Sequence, residues 1–262
     1  MNSHGHAVWL GPPIVVDARG PIWEAVLDRP GQGNAMSAEM VTALDDTLAR
    51  AEREGAAAVV LRSSGRHFCT GFDLSAIANE TDDTLLARFV RIELMLQRLA
   101  RAPFLTVAVA AGRAIGAGAD LFTACSLRIV QGEAGFSFPG ARGFGLVLGT
   151  RRLCEAVGTQ RALQWIESAG VIDAREALDT GLAAMSLGAE PVSRIVEQRV
   201  HGDAELGAAL RKAASPPRES HEAMDLQRLV ESACRPGLRD RILQYIQRNG
   251  ARKPAPATHQ ET

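Results

Sequence analysis

Two glycine-containing turns are the parts of this sequence best suited to chemistry. Residues 66–75 (RHFCTGFDLS) follow a short apolar run at 57–61, and residues 114–120 (AIGAGAD) follow a second apolar run at 104–110. Such runs are typical of buried strands, and a turn of small residues after a strand can direct backbone N–H groups out of the sheet. Two turns of this kind can together form an oxyanion hole, which stabilises negative charge on a carbonyl oxygen.

The order of short motifs along the chain resembles that of the enoyl-CoA hydratase/isomerase (crotonase) superfamily. That family carries F-C-x-G-x-D-L at the first turn, here residues 68–74, and G-x-G-x-[ED]-L at the second, here residues 116–121. The remaining signatures resemble the segments LDRP and NAM at 27–36, AGFSFP at 134–139, GTRRL at 149–153 and AREALDTGL at 174–182.

The resemblance implies a coenzyme A thioester as the substrate. Its carbonyl oxygen would accept hydrogen bonds from the backbone N–H groups of Phe72 and Ala117, which stabilise an enolate-like oxyanion. Ala117 is expected at a helix N-terminus, where free N–H groups and the helix dipole favour negative charge. Phe72 departs from the family, whose members usually have a small residue there. Its ring either narrows the acyl pocket or packs into the core.

The first turn is also where family members bind the adenine and pantetheine groups of coenzyme A. Arg29 is expected near the phosphates, although Gly33 occupies a position that is commonly basic in the family. The resemblance implies no metal and no tightly bound cofactor, because coenzyme A arrives as part of the substrate. The matching positions in the turn are Asp73, Leu74 and Ser75.

The acid/base residues depart most from the family. Hydratases of the family use two glutamates, one near the second turn and one after the proline of the third element. The first position is Asp120 here, which is shorter than glutamate by about 1.5 Å of reach, and the second is Gly140. No acidic residue lies between Glu133 and Glu155, so a shift of the alignment restores no carboxylate. Two-carboxylate hydration is therefore not expected.

Several functions remain open at this stage. The first is an acyl-CoA enzyme that hydrates or isomerises enoyl-CoA, with Asp120 as its proton-transfer group. Hydrolysis or retro-Claisen cleavage of a related carbonyl compound is also open. A different class is a catalytically silent protein that binds CoA esters or acts as a scaffold. His67 is interpreted as a structural or surface residue. Arg142 is either a surface residue or a cation in the pocket.

Strand-like and helix-like segments alternate in the first part of the chain. Strands are expected at 14–17, 22–27, 57–61, 104–110 and 127–130, and helices at about 37–54 and 81–99. This alternation is typical of an α/β fold with βαβ crossovers. From Gly149 onward the patterns are almost exclusively helical, with a break at 215–217 before helices at about 219–233 and 238–249.

The resemblance divides the chain into four parts and implies an assembly. We expect a mobile tail at 1–13, a spiral core of repeated ββα units with the acyl-CoA site at 14–190, a helical oligomerisation region at 191–250 and a disordered tail at 251–262. The last two amphipathic helices would need a partner surface to bury their apolar faces. A homotrimer or homohexamer is therefore expected.

Composition excludes several other functions. The 262 residues are 46% hydrophobic, which is ample for a core, and a formal net charge of −1 gives no general attraction to nucleic acid. No apolar stretch is long enough for a membrane span. The four cysteines show no metal-binding spacing, which favours free thiols in a reducing compartment and a cytoplasmic protein.

Overall fold

The structure is a computed structural model that describes residues 12–200, 204–214 and 219–250. The chain has a mixed α/β fold over these ranges, which confirms the class predicted from the sequence. Residues 1–11 and 251–262 of the two predicted tails lie outside the described residues. The predicted break at 215–217 does as well.

The strands form a single mixed sheet. Their spatial order is β1-β2-β3-β4-β5-β6, and β7 also pairs with β5. Strands β2 to β5 are parallel neighbours, whereas β1 and β6 pair antiparallel to them. The strands are β1 (Ile14–Asp17), β2 (Ile22–Leu27), β3 (Ala58–Ser63), β4 (Leu105–Ile115), β5 (Leu127–Ser137), β6 (Ile172–Asp173) and β7 (Met185–Ser186).

Helices connect the parallel strands and dominate the C-terminal half. Two short 3-10 turns, Pro30–Gln32 and Ile77–Asn79, add to them. The helices are α1 (Ala38–Arg53), α2 (Asp82–Ala100), α3 (Ala117–Ala124), α4 (Gly140–Phe144), α5 (Thr150–Val157), α6 (Thr159–Ser168), α7 (Ala174–Asp179), α8 (Val192–Glu197), α9 (Ala204–Ala214), α10 (Glu219–Ala233) and α11 (Leu238–Gly250).

The two long helices of the first half form as their sequences predict. Ser37 caps α1 by accepting a hydrogen bond from the Met40 N–H at 3.2 Å. Thr81 and Thr84 cap α2 reciprocally. Both helices bury the apolar faces that helical spacing gives them. α1 packs against β1, β2 and α2, whereas α2 packs against α1, α3, α10 and α11. The buried residues of the α2 face are Leu85, Phe89, Ile92, Leu96 and Leu99.

Strands β4 and β5 are longer than the sequence predicted. The predictions ended at residues 110 and 130, but the strands continue to Ile115 and Ser137. The β4–β5 ladder shifts register between Ala111 and Gly112. Beyond the shift, β4 also pairs with the first turn, where the Cys69 N–H donates to the Arg113 carbonyl at 3.1 Å. Hydrogen bonds to residues far away in the sequence thus extend β4 beyond the end of its apolar run.

The region after Gly149 contains two strands that the sequence analysis missed. β6 and β7 are only two residues long each, and both pair with β5. Two residues cannot display an alternating pattern, so their pairing is decided by the neighbouring strand. Asp173 accepts a hydrogen bond from the Glu176 N–H at 2.8 Å and caps α7.

The last two helices fold back onto their own chain. Both α10 and α11 pack against α2, and α11 also packs against α4. Asp82 of α2 accepts hydrogen bonds from three backbone N–H groups at the start of α11. These helices therefore bury apolar residues against their own chain, which does not by itself exclude a partner surface. The trimer or hexamer stays a prediction that rests on the resemblance. The apolar residues that they bury include Leu229, Ala233, Leu238 and Ile242.

The two glycine turns are in direct main-chain contact. The Ile115 N–H donates to the Cys69 carbonyl at 3.0 Å. A Cβ atom on Gly118, in the first turn of α3, would lie 2.1 Å from that same carbonyl oxygen. Only a residue without a side chain lets α3 approach the first turn this closely.

Replacement of Gly118 by alanine should therefore destabilise the protein. Alanine normally improves a helix by up to about 1 kcal/mol relative to glycine, but here its methyl group overlaps the Cys69 carbonyl. We expect a loss of about 3 kcal/mol in the free energy of unfolding, measured in urea. Gly188→Ala is the matched control, since a Cβ there meets no atom within 4 Å. A Gly118→Ala protein as stable as the control would refute the contact.

Candidate active site

A small cavity of about 90 Å³ lies where the two turns meet. Residues of both turns form one side of it, and α3, α4 and α11 contribute to the rest. The other lining side chains are mostly apolar or aromatic, so the cavity suits a carbonyl group attached to an apolar chain. These side chains include Leu74, Phe89, Phe144, Leu146, Leu153 and Tyr245.

Phe72 and Ala117 both line this cavity. Neither backbone N–H donates to another group in the described part of the chain, whereas the neighbouring Gly116 N–H donates to the Ser137 carbonyl at 2.8 Å. Gly71 holds the first turn at φ +95°, and a Cβ there would lie 3.7 Å from the Ala117 nitrogen. The residue before Phe72 thus lies next to the Ala117 nitrogen, and both predicted donors lie at the same cavity.

The Phe72 ring is both part of the cavity wall and part of the core. It is 8% exposed and stacks on Phe89 with ring centroids 4.4 Å apart. The Arg88 guanidinium lies over the ring at 4.1 Å from its centroid. The ring therefore packs into the core, which is one of the two alternatives from the sequence, and the residue also lines the cavity.

Asp120 lies in the first turn of α3 and lines the same cavity. Its side chain is buried and forms no hydrogen bond with any described residue. Gly149, at φ +68°, makes room for it, because a Cβ at that position would lie 2.1 Å from the Asp120 Oδ1. The structure therefore brings the predicted carboxyl group and the two predicted N–H donors to one cavity.

Burial raises the pKa of Asp120 to about 8. The Arg152 guanidinium opposes this shift and the Glu93 carboxylate adds to it. A carboxyl group of this kind is mostly protonated at neutral pH, yet a useful fraction remains ionised. It can therefore both give and accept a proton in the working range of an enzyme.

A buried ion pair beneath Asp120 was missed by the sequence analysis. Arg152 of α5 donates two hydrogen bonds to Glu93 of α2, at 2.9 and 2.6 Å, and Gln97 donates a third at 2.9 Å. Both charged side chains are at most 5% exposed. A glutamate beside the apolar face of α2 and an arginine in the GTRRL motif were the available signals. Because Glu93 and Arg152 are far apart in the sequence, no local pattern indicated that they pair.

The residues expected to bind coenzyme A are arranged around the first turn. Asp73 is buried, accepts a hydrogen bond from the Ser75 N–H at 3.0 Å and pairs with Arg29 at 3.0 Å. Burial opposes its ionisation, but these hydrogen bonds lower the pKa of Asp73. Leu74 lines the cavity, whereas Arg29 and Asp73 do not. The Arg29–Asp73 pair shapes the turn, and the CoA contacts remain predictions.

Gly140 leaves the cavity without a second carboxylate. It begins α4 and lines the cavity, and Asp120 is the only acidic residue among the described lining residues. A Cβ on Gly140 would meet only the Leu146 carbonyl, at 3.9 Å. His67 supplies no substitute, because it lies outside the cavity and its Nδ1 accepts a hydrogen bond from the Arg113 N–H at 3.2 Å.

The sequence profile of the enoyl-CoA hydratase/isomerase family matches residues 18–214. A solved structure from Bordetella parapertussis, assigned as an enoyl-CoA hydratase/isomerase, has a TM-score of 0.85 and 38% identity, and the match covers 93% of this chain and all of that one. The chain belongs to the enoyl-CoA hydratase/isomerase family and has the crotonase fold.

Curated relatives carry two different activities in their names. An assigned enoyl-CoA hydratase of Mycobacterium bovis is 38% identical over 162 residues, which span 60% of this chain and 63% of that relative. The match thus covers less than two thirds of the relative's length. An ethylmalonyl-CoA decarboxylase of Rattus norvegicus is 31% identical over 219 residues, 78% of this chain and 73% of that protein.

Two further observations apply only to the residues that the structure describes. No group of three or more histidine, cysteine or acidic side chains is placed there to hold a metal ion. None of the helices in those ranges is long and apolar enough to cross a membrane.

The raised pKa of Asp120 predicts a pH-dependent stability. The pKa rises from 3.8 to about 8 on folding, so the folded state binds more protons between these values. The contribution of Asp120 is fully present below about pH 4 and is lost as the pH rises through about 8. The free energy of unfolding of the native protein, relative to Asp120→Asn, should fall by about 1.4 kcal/mol per pH unit in this window.

Urea unfolding of both proteins from about pH 5 to about pH 8 measures this difference. Asp179→Asn, at an exposed position, is the matched control. A difference between native protein and Asp120→Asn that stays constant with pH would show that Asp120 titrates normally.

Proposed function

We propose that this protein is an acyl-CoA enzyme that isomerises the double bond of an enoyl-CoA thioester. Phe72 and Ala117 would donate their N–H groups to the thioester oxygen, and Asp120 would transfer the proton. The observation that carries this proposal is a single buried carboxyl group with a pKa of about 8 in a cavity that also holds two free backbone N–H groups.

Isomerisation needs one group that moves a proton between two carbon atoms. The Asp120 carboxylate would take a proton from the carbon next to the thioester carbonyl, which leaves a dienolate with its negative charge on the carbonyl oxygen. The two N–H groups stabilise that charge, each by about 3 kcal/mol in a water-excluded site. The protonated Asp120 then returns the proton to the carbon at the far end of the dienolate.

A second candidate reaction is decarboxylation of a 2-carboxyacyl-CoA thioester. It is favoured by the protonated state of Asp120 at neutral pH. Cleavage of the bond to CO₂ leaves a thioester enolate with its negative charge on the same carbonyl oxygen, and this enolate needs an acid and no base. Asp120 would protonate the carbon that carried the carboxylate. Relatives named ethylmalonyl-CoA decarboxylase cover up to 78% of this chain at about 30% identity, which supports this reading.

Asp120→Asn tests which of these reactions occurs. In isomerisation the aspartate moves the proton, so kcat should fall by about 100-fold or more while KM changes little. In decarboxylation, water can protonate the released enolate, so the variant should mainly lose stereospecific uptake of deuterium from D₂O.

The assays are the isomerisation of a 3-enoyl-CoA and the release of CO₂ from an alkylmalonyl-CoA, with Asp179→Asn as the control variant. An unchanged kcat and unchanged stereospecificity in Asp120→Asn would exclude Asp120 as the proton-transfer group. Tight binding of thioesters without any turnover would instead favour the silent CoA-ester-binding protein.

Hydration of crotonyl-CoA should be slow, below about 10 s⁻¹, because Gly140 supplies no group to activate water. Gly140→Glu should raise hydration by about tenfold or more, since the cavity has room for a side chain at this position. Gly140→Gln has the same size without the titrating group and should not raise it. Efficient hydration by the native protein, or equal gains in both variants, would contradict the assignment.

A further inference from the structure

A second and larger cavity of about 780 Å³ lies beside the small one. The two cavities share the lining residues Ile115, Pro139 and Tyr245. We call these three shared residues the partition, and the neighbouring Gly140, which lines the small cavity, adds no side chain to it. An acyl chain held in the small cavity that extends past the partition would enter the second cavity.

The second cavity is basic. Arg113, Arg142 and Arg248 line it, and no acidic residue occurs among its described lining residues; we call it the basic cavity. Arg142 donates to the carbonyl oxygens of Glu167 and Ser168, at 3.4 and 2.8 Å, which fixes its position. Arg113 and Arg248 form no ion pair within the described ranges. Three cations without a counter-charge favour an anionic ligand.

The path between the cavities follows strand β4. Arg113 and Ile115 are two residues apart on this strand, so their side chains point to the same face about 7 Å apart. Ile115 lines both cavities, whereas Arg113 lines only the basic one. Ala117, the predicted donor to the carbonyl oxygen, lies two residues after Ile115. Along the chain, the cation of Arg113 is therefore followed by Ile115 of the partition and then by the predicted N–H donor of Ala117.

We propose that the basic cavity binds a carboxylate at the far end of the acyl chain, so that the preferred substrates are CoA thioesters of dicarboxylic acids. This inference rests on the proposed function. A carboxylate would be costly to bury in the apolar small cavity, and the arginines offset this cost only if the chain reaches past the partition.

A phosphate group of coenzyme A offers the same anionic chemistry and could compete for these arginines. The lining of the basic cavity favours the acyl carboxylate, since it includes none of the predicted CoA-binding residues and shares residues with the cavity predicted to hold the acyl group. The two sources are separable by experiment, because every CoA thioester carries the phosphates and only some carry a second carboxylate.

Calorimetric binding of unreactive substrate analogues tests the proposal. Carba(dethia)-CoA analogues, in which CH₂ replaces the thioester sulfur, keep the carbonyl group and cannot turn over at the thioester. The succinyl, glutaryl and adipyl analogues are compared with the butyryl, pentanoyl and hexanoyl analogues of equal length. At least one dicarboxylic analogue should bind about tenfold more tightly than its partner.

Arg113→Gln and Arg248→Gln should each abolish most of this preference and leave the binding of the monocarboxylic analogues unchanged. Neither side chain pairs within the described chain, so both variants should fold. Arg175→Gln, whose side chain is 90% exposed, is the matched control.

Equal affinities for the two series, or a preference that survives both substitutions, would overturn the proposal while the small cavity still binds its thioesters. A uniform loss of affinity for all analogues would assign the arginines to the CoA phosphates instead. Failure of every analogue to bind would reject the proposed function together with this inference.

Discussion

The site depends on one main-chain contact between two turns that are far apart in the sequence. Gly71 and Gly118 lack the side chains that would keep the turns apart, and the Ile115 N–H fixes their distance by bonding to Cys69. Because this contact uses the backbone, it positions two N–H groups whatever side chains surround them. In the proposed function, the lining residues would then select the acyl group.

The proposed chemistry depends on how Asp120 is buried. Gly149 gives its carboxyl group room, and the apolar wall raises its pKa to about 8. The Arg152–Glu93 pair lies beneath it, so the arginine is largely neutralised and lowers that pKa only in part. One carboxyl group that both gives and accepts protons fits reactions that pass through an enolate better than it fits the addition of water.

Much of this arrangement could be predicted from the sequence, because local patterns encode it. The α2 helix was predicted almost to its ends, and Phe72, Ala117 and Asp120 do meet in one cavity. Contacts between distant segments could not be predicted. The Arg152–Glu93 pair joins two helices, and Tyr245 reaches the cavity only because α11 folds back over the core. The spacing of residues within one helix or strand does not indicate such contacts between segments.

The proposed function requires that the backbone N–H groups of Phe72 and Ala117 bind the thioester oxygen. A crystal structure with a carba(dethia) enoyl-CoA analogue measures this directly. We expect the carbonyl oxygen within about 3 Å of both backbone nitrogens, with Asp120 beside the carbon next to the carbonyl. A carbonyl oxygen bound elsewhere, or to only one of the two nitrogens, would contradict the account.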